Sequence, residues 1–202
     1  MHIRYFLIVF SNIIFFISCK QSNEYLLHEA GRLYEKKKYN EVIDICNDVI
    51  KEKNNLQLSY YYRGLAYAGL KQYKKAIHSL DIVMSLQERD GLIFVWNENS
   101  IFADEVARTQ VPYNDALYQR AIVKYNMDSL KSSLYDFQTC IENNYEQKSN
   151  CLLWQGEIYI RMGENNKGCD FIQKAKEFAA NLYDSTGADK MYNEYCKSKI
   201  ND

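Results

Sequence analysis

The sequence is poor in the residues that make turns. It has a single proline, Pro112, and eight glycines in 202 residues. A sheet protein of this length reverses its chain many times, and those reversals draw on glycine and proline. Their scarcity argues against a strand-rich fold and for helices joined by short connections. Charge of one sign is also missing, since the formal net charge is −1. Nucleic-acid binders carry a basic stripe, so no nucleic acid is expected as a partner. Histidine is nearly absent: His2 lies in an N-terminal apolar segment, and His28 and His78 stand singly on predicted helices. With no close cysteine pair to join a histidine, no metal is expected. No serine–histidine or cysteine–histidine arrangement stands out, and nothing selects a catalytic pair among the 26 acidic residues. The stretch GENNKGCD, Gly163 to Asp170, looks superficially like a phosphate loop but lacks the lysine and hydroxyl after its second glycine. The expectation is a protein that is not an enzyme and carries no cofactor.

What is present is apolar and aromatic. Hydrophobic residues make up 47% of the chain, enough for a core. The start is different in kind from the rest. MHIRYFLIVFSNIIFFISCKQSN opens with basic Arg4, runs apolar from Tyr5 to Ile17 and then reaches Ser18 and Cys19. The run is shorter than the roughly 20 residues of a membrane span, is broken by Ser11 and Asn12, and fits a signal-peptide core. Its ending, FISC, resembles the lipobox of bacterial lipoproteins, in which a small residue precedes a cysteine that is lipidated and leads the mature chain. Ser18 and Cys19 match; Phe16 and Ile17 depart from the usual leucine and small residue. The resemblance implies a signal peptide over 1–18, lipidation at Cys19 and a tether over 19–23. It also implies export to the bacterial cell envelope, with a lipid anchor in the membrane, outer rather than inner. A plain secretory signal, with Cys19 incidental, is the alternative.

Beyond the tether the chain repeats itself. Ala30 and Gly64 stand 34 residues apart. Leu33, Tyr39, Val42, Cys46 and Val49 follow Ala30 at the offsets at which Tyr67, Tyr73, Ala76, Leu80 and Val83 follow Gly64. A third copy starts from Ala121, with Leu130, Ser133, Phe137 and Cys140; a fourth starts from Gly156, with Tyr159, Gly163, Gly168, Ile172 and Ala175. Within each copy apolar residues recur at intervals of three and four, the mark of two amphipathic helices. Small residues at Ala30, Gly64, Ala121 and Gly156 on the first helix, and at Ala76, Ser133 and Gly168 on the second, let the two approach closely. No such unit buries its apolar face alone, so neighbours must stack.

In period and pattern these copies resemble tetratricopeptide repeats, most clearly in YYYRGLAYAGLKQYKKAIHSLDIVMSL and LLWQGEIYIRMGENNKGCDFIQKAKEF. The resemblance implies an all-α, right-handed solenoid of about four helix–turn–helix units. Units 1 and 2 occupy 24–87 and units 3 and 4 occupy 113–180. A capping helix and tail follow over 181–202, where Ala188, Met191, Tyr192 and Tyr195 form an apolar stripe. Gly64 to Ala121 spans 57 residues, so roughly 23 residues are inserted into the regular period, within 88–112. That insertion, with GLIFVWNENSIFADEV at its centre, reads as a hairpin or an irregular loop with a short helix from Ser100. It serves either as a flap over a groove or as a plug between the second and third units. Asn114 or Asp115 is expected to cap the next helix.

In the repeat family, ligands lie along a concave face lined by first helices. The resemblance carries that role to Leu27, Gly31 and Tyr34 in unit 1, and to Tyr61 and Leu65 in unit 2. In unit 3 it falls on Tyr118, Ile122 and Tyr125, and in unit 4 on Leu153, Glu157 and Arg161. The lysines and asparagines with which one branch clamps C-terminal carboxylates are missing here, and tyrosines take their place. Tyrosine offers broad contact area with a polar tip at little entropic cost, which suits an extended peptide or a partner's helix. GCDF…KAKEF…YNEYC also resembles the closing segment of some bacterial tetratricopeptide proteins, which carry a cysteine near each end; this implies a disulfide between Cys169 and Cys196, with Cys151 as a competitor. The expected function is an anchored scaffold that holds a protein or peptide partner. A subunit of an envelope assembly held by its convex face or insertion, and a small-ligand binder or enzyme built around the insertion, are the alternatives.

Overall fold

The computed structural model describes residues 22–53, 56–90, 109–180 and 186–197. Nine helices run through them and no strand is present among the described residues. They are α1 (Asn23–Glu35), α2 (Tyr39–Glu52), α3 (Gln57–Gly69), α4 (Tyr73–Asp90), α5 (Tyr113–Asn126), α6 (Leu130–Glu142), α7 (Lys148–Arg161), α8 (Asn165–Ala180) and α9 (Thr186–Tyr195). Each odd-numbered helix through α7 packs against the one that follows, and each pair packs against the next. The result is an all-α solenoid of four helix pairs, closed by α9 against α8.

The turn inside each pair is built the same way four times. Lys37, Lys71, Asp128 and Gly163 have φ of 59°, 59°, 65° and 83°. Each sits just past the end of its first helix. At every turn two backbone N–H groups reach back to the last carbonyls: Lys37 to Tyr34 and Lys38 to Leu33, Lys71 to Ala68 and Gln72 to Tyr67, Asp128 to Tyr125 and Ser129 to Lys124, Gly163 to Ile160 and Glu164 to Tyr159. This is a left-handed helix cap that satisfies carbonyls otherwise left orphaned. Three of the four turns make it without glycine, which is how so glycine-poor a sequence still reverses direction.

Each pair is then drawn together at one crossing. A Cβ built on Gly156 would stand 2.6 Å from Ile172 Cγ1 and 2.9 Å from the Gly168 carbonyl oxygen. One built on Gly168 would meet Ile160 Cγ1 at 2.6 Å and the Gly156 oxygen at 2.8 Å. The backbones of α7 and α8 therefore touch there. In unit 3 the same register holds Ala121 and Ser133, and the Ser133 hydroxyl donates to the Ala121 carbonyl at 2.8 Å. Around these crossings lies the core: Leu27, Val42, Cys46 and Val49 in unit 1, Leu80 and Val83 in unit 2, Phe137 in unit 3 and Ile172 in unit 4, all fully buried.

One ion network ties units 2 and 3. Asp136 on α6 is fully buried. It accepts two bonds from Arg120, at 2.8 and 2.9 Å, and one from Lys124 at 2.7 Å. Arg120 also reaches Asp81 on α4 at 2.7 Å. Burial works against the Arg120 charge, and the hydrogen bonds it donates to Asp136 and Asp81 outweigh burial and raise its pKa.

Where the insertion rejoins the array, Thr109 and Val111 are buried at the start of α3. The Thr109 carbonyl accepts from the Leu58 N–H, and the Val111 N–H donates to Gln57 Oε1, both at 2.9 Å. An otherwise unpaired N–H of the first turn of α3 is satisfied in this way. The centre of the expected insertion, 91–108, and the expected signal peptide with Cys19 lie outside the described residues. α5 begins after Pro112 with no side-chain cap. Asn114 and Asp115 fall inside its first turn, so neither caps it. Asp115 instead accepts from the Tyr145 hydroxyl at 2.6 Å.

Candidate functional site: an aromatic face on the first helices

First helices touch one another along the stack, α1 to α3 and α3 to α5; no comparable contact joins successive second helices among the described residues. The first helices therefore form the shorter, inner arc. Which side chains look out from that arc decides what it can do.

Tyr61, Ile122, Tyr125, Trp154 and Glu157 are half-buried on this arc, and Arg161 is exposed at its end. Trp154 organises the part between units 3 and 4. Its indole N–H donates to the Tyr118 hydroxyl at 3.0 Å. Its ring stacks on Phe137 at 5.9 Å and meets Tyr125 edge-on at 5.1 Å. The Tyr125 hydroxyl donates to Glu157 Oε1 at 2.6 Å. The Arg161 guanidinium lies 4.9 Å from the centre of the Tyr125 ring and pairs with Asp128 at 3.0 Å. Burial raises the pKa of Tyr125, and the bond to the Glu157 carboxylate adds to it, while Arg161 opposes. The Tyr61 hydroxyl is pushed up by burial, then by nearby Asp115, Tyr34 and Tyr62, while the neighbouring Gln119 side chain opposes the shift. Burial also raises the pKa of Tyr34, whose ring lies 5.7 Å from that of Tyr39. These hydroxyls stay protonated at neutral pH, so the face offers rings, fixed polar tips, one carboxylate and one guanidinium. Among the described residues no group of histidines, cysteines and acids converges on a site for a metal ion. The arrangement is equipped to hold a chain by contact area and a few hydrogen bonds.

Not every residue assigned to the groove from sequence lies on it. Leu27 is 0% exposed, Leu65 8% and Tyr118 9%. Leu27 belongs to the core between α1 and α2. Tyr118 packs edge-on against Phe137 at 5.6 Å and beside Tyr145 at 5.8 Å. These three support the face from behind. Tyr34, Tyr61, Ile122, Tyr125, Glu157 and Arg161 keep accessible surface.

Trp154 was not among the expected residues, and its register explains why. It stands two residues before the small crossing residue Gly156, as Gln119 does before Ala121 and Tyr62 before Gly64. In the structure this position reaches back to the preceding unit. The Tyr62 ring covers Gly31, where an added Cβ would meet its hydroxyl at 2.8 Å; Gln119 lies close enough to Tyr61 to lower the pKa of its hydroxyl; Trp154 bonds Tyr118. It is a seam between units, and comparing the residues two before each crossing would have found it.

At the far end of the stack Cys169 on α8 is joined to Cys196, just past α9, by a disulfide with Cα atoms 5.6 Å apart. Leu152, Ala175 and Ala188 are buried together where α9 covers the last pair.

Neither a protein-family model nor a curated protein matches this sequence. Solved structures do. A structure of MamA from Desulfovibrio magneticus RS-1, residues 41 to the end, is 15% identical, with a TM-score of 0.57 over 87% of this chain and 94% of that one. A MamA RS-1 double mutant is 16% identical, with a TM-score of 0.58 over 90% of this chain and 99% of that one. YrrB, described as a TPR protein with an unusual peptide-binding site, is 14% identical, with a TM-score of 0.52 over 85% of this chain and 78% of that one. At these identities the likeness is one of fold: the chain has the architecture of a tetratricopeptide-repeat solenoid.

Proposed function

We propose that this protein is a non-enzymatic scaffold that binds a partner protein or peptide along its inner aromatic face. The carrying observation is the half-exposed group Tyr61, Ile122, Tyr125 and Trp154, extended by Glu157 and Arg161. Its rings are fixed by Trp154–Tyr118 and Tyr125–Glu157 hydrogen bonds. Prefixed rings lose little entropy when a ligand arrives. The peptide-binding site named for YrrB belongs to that protein; it supports the same use of the fold here. The same reading places the scaffold at a membrane of the bacterial cell envelope, outer rather than inner, through lipid on Cys19. Support for that part comes from the sequence FISC alone.

The test is an in-cell cross-linking pull-down with the full-length tagged protein. Wild type is compared with Ile122→Ala/Tyr125→Ala/Arg161→Ala and with a control on the outer layer, Tyr135→Ala, whose ring is 71% exposed on α6. Tyr118 is left intact because its removal would open the core. A partner captured by wild type and the control but lost from the folded triple variant is the expected result. A partner kept by the triple variant and lost from the control would move the site to the outer layer. Fatty-acid labelling that disappears in Cys19→Ser tests the anchor; no label on wild type would overturn it.

A further inference from the structure

Each turn inside a helix pair joins the end of a first helix to the start of a second, so the four turns line one edge of the stack. That edge is not evenly charged. Residues 35–41 and 70–75, at the turns of units 1 and 2, hold six lysines: Lys36, Lys37, Lys38, Lys71, Lys74 and Lys75. All six are exposed, and only two acids, Glu35 and Glu41, stand among them. The two turns are neighbours, since a Cβ built on Gly69 would stand 2.5 Å from Tyr39 Cζ. A chain of net charge −1 thus gathers a strong positive excess on one short stretch of its surface.

Local structure does not explain these lysines. Lys37 and Lys71 both hold a φ of 59°, where a side chain is strained and glycine is not. Lys74 and Lys75 lie in the first turn of α4, which holds no acid and where the helix dipole disfavours a cation. Pairing does not explain them either. Lys38 pairs with Glu41 at 3.0 Å, and Lys75 rests over the Tyr67 ring at 5.3 Å. Lys36, Lys37, Lys71 and Lys74 make no ion pair among the described residues. Positive charge is kept here against local cost, and strain retained in a fold points to a use.

The form of the patch narrows its partner. Neighbouring helices stand about 8–10 Å apart, so the two turns together match about six residues of an extended chain, at about 3.3 Å each. The corresponding turns of units 3 and 4 bring acids to the same edge, Asp128 and Glu164, with side chains 71% and 47% exposed. A membrane or a nucleic-acid duplex laid along the edge would meet them. Neither lysine turn holds an arginine, so the planar fork that suits phosphate is missing.

We propose that the turns of units 1 and 2 form a docking strip for a short acidic segment of a partner protein, an extended run of glutamates or aspartates. The strip is separate from the inner aromatic face and does not depend on what binds there. Exposed ammonium groups meeting carboxylates give a contact that is steered by charge and weakened by salt.

A fluorescein-labelled octaglutamate peptide is titrated with the full-length protein, and anisotropy is read at low and at physiological ionic strength. Wild type is expected to bind, more weakly at the higher salt. Lys37→Gly/Lys71→Gly relieves both strained turns and so keeps the fold; it is expected to weaken binding about tenfold, at about threefold for each exposed pair. Lys51→Gln/Lys190→Gln removes the same charge from exposed lysines elsewhere and is expected to bind as wild type does. So is Ile122→Ala/Tyr125→Ala/Arg161→Ala, so that failure of the strip leaves the inner-face proposal standing. No binding at low salt, or equal weakening by the two lysine double variants, would overturn the strip. Loss in the inner-face variant alone, or binding to phosphatidylglycerol vesicles in place of the peptide, would overturn it too.

Discussion

Replacing Gly156 by alanine adds one methyl group where the backbones of α7 and α8 touch. That methyl would stand 2.6 Å from Ile172 Cγ1, 2.9 Å from the Gly168 carbonyl oxygen and 3.3 Å from the Ile172 nitrogen. A carbon and a carbonyl oxygen settle at about 3.3–3.6 Å, so the two helices must part by roughly half an ångström. The isoleucine could turn aside, but a backbone carbonyl cannot. Overpacking of this kind costs about 1–3 kcal/mol, and a clash with backbone belongs at the upper end. Alanine recovers about 1 kcal/mol of helix propensity over glycine. The net loss is therefore about 2 kcal/mol, a fall of about 4–8 °C in Tm for a chain of this size. Gly168→Ala meets the Gly156 oxygen at 2.8 Å and should cost as much. Gly187→Ala, whose Cβ would find only Leu153 at 3.8 Å, is the control and should be neutral or stabilising. Urea unfolding measures all three. Hydrogen exchange adds location, because a solenoid transmits damage mainly to neighbouring units: α7 and α8 should open faster while α1 to α3 hold. Gly156→Ala at or above wild-type stability would refute the close crossing.

The left-handed turns predict gains. Lys71→Gly removes the strain of a side chain at φ 59° and should stabilise by about 0.5–1 kcal/mol by urea unfolding, after allowing for the freedom glycine adds to the unfolded chain. Asp136→Ala leaves Arg120 and Lys124 without their shared, fully buried carboxylate; breaking a buried pair costs about 3–5 kcal/mol, and the partial exposure of both cations puts the expected loss near the lower value. The Cys46 thiol is pushed up by burial from 9.0 to about 12. The unfolded chain therefore releases this proton at lower pH than the folded one. The stability this group contributes is complete below pH 9 and lost as pH rises toward 12. Urea midpoints should fall over that window, and fall less steeply in Cys46→Ala.

The architecture was legible because its causes are periodic. Small residues twelve apart, Gly64 and Ala76, Ala121 and Ser133, Gly156 and Gly168, mark three of the four crossings in the sequence itself. The turns were less legible, since Lys37, Lys71 and Asp128 are not residues that announce a positive φ. Their conformation follows from the helices they connect. The groove was read one layer too deep at Leu27, Leu65 and Tyr118. Period alone places these on the first helices, but only packing shows that Phe137 and Tyr145 bury Tyr118. Trp154 escaped for the converse reason: its role belongs to the seam between units, and a comparison made within units does not see it. Asp115 was expected to cap α5, but an N-cap must precede the helix, and α5 already starts at Tyr113.

The claim that matters most is that a partner lies on the inner face. Hydrogen–deuterium exchange on the full-length protein, alone and with the captured partner, measures this directly. The account predicts slower exchange in α5 and α7, through residues 118–126 and 153–161, with α6 and α8 little changed. Slowing confined to α6 around Tyr135, with α5 and α7 exchanging as in the free protein, would contradict it.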